Sequence, residues 1–107
     1  MVSNHEGRSP NCTPGTAEDL PEIVSAVKGK VKIYMDSGIR SGEDVFKALV
    51  LRADAVLVGR VVAIAAIGEE SEGVILFLDQ YRRELKRAIL LTGCGSIASI
   101  GAEPICL

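Results

Sequence analysis

A chain of 107 residues holds one domain at most, and 48% hydrophobic with 24% charged residues is ordinary globular composition, so collagen-like, low-complexity and wholly disordered chains are excluded. Twelve Lys and Arg against 14 Asp and Glu leave a net charge of −2, and aromatic residues are only 4% with no Trp. A nucleic-acid binder needs clustered positive charge or a base-stacking surface, and neither is present.

The elements alternate along the chain. Leu20, Ile23, Val24 and Val27 share one face of a helix that starts at Thr16 or Asp19 and stops at Gly29. Pro21 cannot donate to the preceding turn, which predicts regular helical bonding from about that point onward. Residues 31–35, apolar-rich and partly β-branched, predict a short strand. Ser41 to Asp44 forms a capping box, with Ser41 as cap and Asp44 reaching back, and opens a helix over 42–52 with Val45, Phe46, Leu49 and Val50 inward. The continuous apolar run 55–58 predicts a strand covered on both faces. Residues 61–67 fit either a short extra helix or a buried turn. Val74, Phe77, Leu78, Tyr81, Leu85, Ala88 and Ile89 then mark an amphipathic helix over 72–92, ended by Gly93. Its other side, with Asp79, Arg82, Arg83, Glu84, Lys86 and Arg87, reads as a solvated face. Helices alternating with strands demand a mostly parallel sheet with right-handed crossovers.

The uncharged run 61–68 is far shorter than the roughly 20 residues that span a bilayer. No basic-then-apolar leader, prenylation box or peroxisomal address is visible, so no membrane role is expected. Cys12, Cys94 and Cys106 lack metal-like spacing and read as free thiols of a cytoplasmic protein, with no metal site.

Three segments carry possible chemistry. Asp36-Ser37-Gly38-Ile39-Arg40 and Gly59-Arg60 leave the C-terminal ends of the two predicted strands, where parallel α/β folds bind ligands. A glycine lets backbone N–H groups approach an anion, and an arginine adds a two-pronged donor, so two such pairs on adjacent strands suit a phosphate. The plainer alternative is two tight turns with solvated arginines. Near the start, His5 is the sole histidine, and Arg8 follows three residues later. Such a pair suits a carboxylate substrate, the arginine forking the carboxylate while the imidazole takes a proton. The alternative is a frayed surface histidine.

The string Val2-Ser3-Asn4-His5, Gly7-Arg8, then Thr13-Pro14 and Leu20-Pro21-Glu22-Ile23-Val24, resembles the FMN-dependent α-hydroxy-acid oxidases and dehydrogenases, the group of glycolate oxidase, lactate oxidase and flavocytochrome b2. The resemblance runs on through Asp36, Gly38-Ile39-Arg40, Asp44 to Leu49, Val58-Gly59-Arg60 and Leu91-Thr92-Gly93-Cys94. It implies an α/β fold, a partial (β/α)8 TIM barrel from the end of strand 6 through helix 8, with residues 1–107 as one partial-barrel domain. A full barrel needs about 250 residues, so this length cannot close one alone.

The resemblance also implies roles. His5 is the catalytic base and, with Arg8, binds substrate; Ser3 contacts the flavin; and Asp36, Ser37, Gly38, Ile39, Arg40, Gly59 and Arg60 hold the phosphate end of FMN. The implied chemistry turns a small (S)-2-hydroxy acid into a 2-oxo acid. Several residues depart from the family pattern: Glu6 for Gly or Ala, Ser37 for glycine, Arg52 for a small residue, Val61 for proline, and Pro10-Asn11 for Leu-Asp. With most flavin and substrate contacts absent, the chain alone is expected to be inactive. The alternatives are a phosphate- or FMN-binding module and a remnant without function. An open piece of sheet also predicts self-association, or pairing with a chain that supplies the missing strands, through exposed members of Val31, Ile33, Met35, Val56 and Val58.

Overall fold

In a computed structural model, residues 1–3 and 15–100 are described, and the elements follow the order α1 (Thr16–Val27), β1 (Tyr34–Met35), α2 (Gly42–Val50), β2 (Ala55–Val56), α3 (Arg60–Leu91) and a 3-10 turn at Ile97–Ser99. The strands pair in parallel, Tyr34 with Ala55 and Met35 with Val56, and Val2 bridges to Met35 on the other side, also in parallel. The fold is therefore mostly helical around a small parallel sheet, with Val2, β1 and β2 in spatial sequence.

Helix α1 begins earlier than Pro21 suggests. The Glu18 and Asp19 N–H groups already donate to the Gly15 carbonyl, so the missing proline donor falls inside the helix. Thr16 starts the helix but does not cap it; its buried hydroxyl donates to the Asp36 carbonyl instead. The helix ends where Lys28 and Gly29 adopt positive φ. Leu20 is wholly buried beneath it, a placement worth about 1.5–3 kcal/mol.

Both strands are shorter than expected. The Ile33 N–H donates to the Asp54 carboxylate, while its carbonyl accepts from Asp54 and Ala55, so a side chain takes over ladder pairing at that point. Beyond Val56 one more link survives, from Leu57 N–H to the Met35 carbonyl.

The buried core combines Val2, Leu20, Ile33, Met35, Ile39, Ala48, Ala53 and Tyr81, with Val56 and Val58 packed against it. This corrects the expected exposed face. Ile33 and Met35 point at the helices, and side chains alternate across a strand, so the uncovered side carries Tyr34 and Leu57, at 48% and 44% exposure. Of the five expected exposed residues, only Val31 is largely open. A second cluster, Phe46, Val50 and Ile100 with Leu85, Ala88 and Ile89, joins α2 to α3.

Helix α2 starts as its capping pattern predicts, with the Asp44 N–H donating to the Ser41 hydroxyl. Such a cap is worth about 1 kcal/mol. The reciprocal half differs: the Asp44 carboxylate reaches one residue further back and accepts from the Arg40 N–H.

Helix α3 is two helical arms. They meet at Glu69 (φ −136°, ψ 27°) and Glu70 (φ 54°, ψ −135°), where the backbone leaves the helical region. The segment 61–67 is thus helical rather than a buried turn, and Ile64 and Ile67 are exposed. The arms fold against each other so closely that a Cβ on Gly73 would collide with the Ala65 carbonyl oxygen. On the second arm Phe77, Tyr81, Leu85, Ala88 and Ile89 pack inward as the periodicity predicts, but Leu78 is exposed. Among the described residues, no helix is long and apolar enough to cross a membrane.

Candidate functional site

The ends of β1 and β2 open into a cleft of about 600 Å³. Ser3, Asp36, Ser37, Gly38, Ile39, Arg40, Gly59 and Arg60 all line it, together with Leu57, Val58, Val61 and Ala63. Every described candidate cofactor residue is therefore brought to one place. His5 and Arg8 lie outside the described residues, as do Glu6 and Pro10-Asn11.

Parallel pairing causes the convergence. It puts the C-terminal ends of both strands on one edge, so the loops that follow Met35 and Val56 leave side by side. Val2 pairs beside Met35, which delivers Ser3 to the same edge.

The first turn of α3 supplies the second ingredient. Gly59 precedes it without a side-chain cap, and no acidic residue occupies that turn. Its outermost N–H groups and its partial positive charge therefore stand at the cleft wall, next to the Arg40 and Arg60 side chains. A Cβ built on Gly38 or Gly59 meets nothing within 4 Å, so the backbone at both positions is open to close approach. Two guanidinium groups, a helix N-terminus and two open glycines fit a phosphate ester. The Asp36 carboxylate, which accepts from the Ser37 hydroxyl at 2.9 Å, suits a neighbouring hydroxyl-bearing part of a ligand rather than the anion itself.

Ser37, one of the departures from the family pattern, has φ 75°, and Arg52, another, has φ 78°. Both sit in the left-handed region where a side chain costs roughly 1–2 kcal/mol. A glycine at either position would adopt the same backbone without that cost.

Two residues behind the loop were not singled out from sequence. The Tyr81 hydroxyl donates to the Ile39 carbonyl at 3.1 Å, and Glu84 accepts from the Gly42 N–H at 2.7 Å. Glu84 is thus not simply part of a solvated face. Hydrogen bonds from Gln80 and from the Gly42 backbone hold its carboxyl below the usual range. Burial, reinforced by the Asp44 and Glu84 carboxylates, pushes the Tyr81 phenol above its ordinary value. The signal for Tyr81 was its polar tip at an apolar position, since a buried tyrosine hydroxyl normally finds a partner.

Known proteins bear on this geometry. Residues 1–107 match the family described as FMN-dependent dehydrogenase. A 2-hydroxyacid oxidase 2 of Bos taurus is 44% identical over 105 residues, covering 98% of this chain and 30% of that protein. An L-lactate dehydrogenase of Vibrio parahaemolyticus is 43% identical, covering 98% of this chain and 28% of that protein. A crystal structure of mandelate oxidase with (S)-2-phenylpropionate superimposes with a TM-score of 0.89 at 43% identity, over 92% of this chain and 30% of that one. Another mandelate oxidase structure holds an FMN adduct. The chain spans about 30% of the length of the relatives it matches, and it belongs to the FMN-dependent dehydrogenase family.

Proposed function

We propose that this chain carries the phosphate end of the FMN site, and the substrate-handling residues, of an oxidoreductase that converts a small (S)-2-hydroxy acid to a 2-oxo acid. The observation that carries the proposal is the convergence of Ser3, residues 36–40, Gly59 and Arg60 on one cleft beside an uncapped helix N-terminus. On this reading Val2, β1 and β2 are the ends of strands 6, 7 and 8 of a (β/α)8 barrel. The superposition on mandelate oxidase supports it.

Arg40 and Arg60 balance the phosphate dianion, while Gly38, Gly59 and the first turn of α3 bring N–H donors to its oxygens. FMN, when bound, accepts the electrons that leave the substrate α-carbon. The Arg8 guanidinium forks the substrate carboxylate, and the His5 imidazole accepts the substrate proton. Glu6, the neighbour of His5 in sequence, adds a negative charge that opposes an anionic substrate. Uncovered apolar groups, Tyr34 and Leu57 on the sheet and Ile64 and Ile67 on α3, favour self-association or pairing with a chain that supplies further strands.

Calorimetric titration of the 107-residue chain with FMN and riboflavin tests the phosphate site. FMN is expected to bind at least about tenfold more tightly than riboflavin, and Arg40→Ala or Arg60→Ala to remove about tenfold of that. Equal affinity for the two flavins overturns the reading. Anaerobic mixing with FMN and L-lactate or glycolate is expected to leave the flavin oxidised. Rapid bleaching would show that the chain alone suffices for turnover.

A further inference from the structure

One peptide unit in the cleft wall is bonded at both ends. The Ile39 carbonyl accepts from the buried Tyr81 hydroxyl at 3.1 Å, and the Arg40 N–H of the same peptide donates to Asp44 Oδ2 at 3.1 Å. Two residues on, the Gly42 N–H donates to Glu84 Oε2 at 2.7 Å. A peptide unit is planar, so anchoring both of its edges fixes the Arg40 Cα and the N–Cα bond that leads to it. The Gly42 anchor two residues on limits the rotation left about that bond. Arg40 lines the cleft; Tyr81 and Glu84 do not. They are three residues apart on α3 and so share one face of it. The loop has little conformational preference of its own for this shape, because Ser37 sits at φ 75°.

We propose that Tyr81 is a positioning residue of the anion cleft: from behind the loop, its hydroxyl sets the aim of Arg40, while Glu84 holds the start of α2 in register. This rests on the reading that the cleft takes the phosphate end of FMN. The phenol must be protonated to donate, and burial favours that form.

Tyr81→Phe keeps the ring that packs on Phe77, with centroids 4.5 Å apart, and removes only the hydroxyl. FMN affinity is expected to fall about fivefold to tenfold, the effect of one hydrogen bond, while riboflavin affinity stays unchanged. Phe77→Leu disturbs the same packing and keeps the hydroxyl, so its ratio of FMN to riboflavin affinity is expected to stay at the wild-type value. A wild-type preference for FMN that survives Tyr81→Phe overturns the positioning role alone. So does an equal loss of that preference in Phe77→Leu, which makes the effect one of loosened packing. No preference for FMN in the wild-type chain overturns the phosphate reading and this inference with it, and the two failures are distinguished by that first titration.

Discussion

The segment 33–50 and the first arm of α3 are both rich in aliphatic residues, yet they meet opposite fates. In the former, Ile33, Met35, Ile39, Phe46, Ala48 and Val50 are buried. The intervening loop is tied down by a hydrogen bond donated by Tyr81 and by its own N–H groups donating to the Asp44 and Glu84 carboxylates. In the arm, Ile64 and Ile67 are 62% and 86% exposed, and the helix breaks at Glu69 and Glu70. Apolar content alone therefore does not build a core. A residue is buried only where another element of the chain returns to cover it, and here that service goes to the wall of the anion cleft.

The largest test of this contrast sets one aliphatic residue against another. Leu20→Ala, at a wholly buried position, is expected to cost about 3 kcal/mol in urea unfolding. Ile67→Ala is expected to cost less than about 0.5 kcal/mol. A large Ile67 cost that grows with protein concentration would show instead that an assembly covers the arm.

Glycines sharpen the comparison. A Cβ on Gly42 would collide with the Tyr81 carbonyl and the α3 backbone near Leu85, so Gly42→Ala is expected to cost about 2–3 kcal/mol. Gly38→Ala meets open space and only the penalty of φ 78°, about 1 kcal/mol. Thermal midpoints of the two variants should separate accordingly.

Relief of strain runs the other way. Arg52→Gly is expected to raise stability by about 1 kcal/mol, because φ 78° is natural for glycine. Ser37→Gly should gain less, since it also loses the hydroxyl bond to Asp36. An unchanged melting temperature for Arg52→Gly would mean that the backbone there relaxes freely.

The smallest effect is one of pH. The Glu84 carboxyl titrates below its ordinary value of 4.5 in the folded chain. Its contribution to stability is therefore present above that value and lost as pH falls through the lower, folded one. The urea midpoint should drop on acidification through this range, and Glu84→Gln should flatten the drop. An identical acid profile in that variant would remove Glu84 from the anchoring of α2.

Much of this was determined by the sequence alone. Helical periodicity placed Leu20, Ile23, Val24 and Val27, and later Phe77, Tyr81, Leu85, Ala88 and Ile89, on inward faces, because burial selects for a 3.6-residue repeat wherever one side meets a core. The Ser41 cap and the helix stops at Gly29 and Gly93 are local chemistry, needing only a hydroxyl near an N–H or a backbone that tolerates positive φ. The convergence of the cleft-lining loops was legible because parallel strands bring their C-terminal ends, and the glycine–arginine pairs that follow them, to one edge. Tertiary structure decided what depends on a partner distant in sequence. The strands are short because Asp54 intercepts the Ile33 N–H, and which strand face lies open depends on which side the helices cover. The anchoring of the cleft wall joins Ile39 and Gly42 to Tyr81 and Glu84 across 42 residues of chain. No local pattern encodes a contact at that separation, since the bond exists only once α2 has packed on α3.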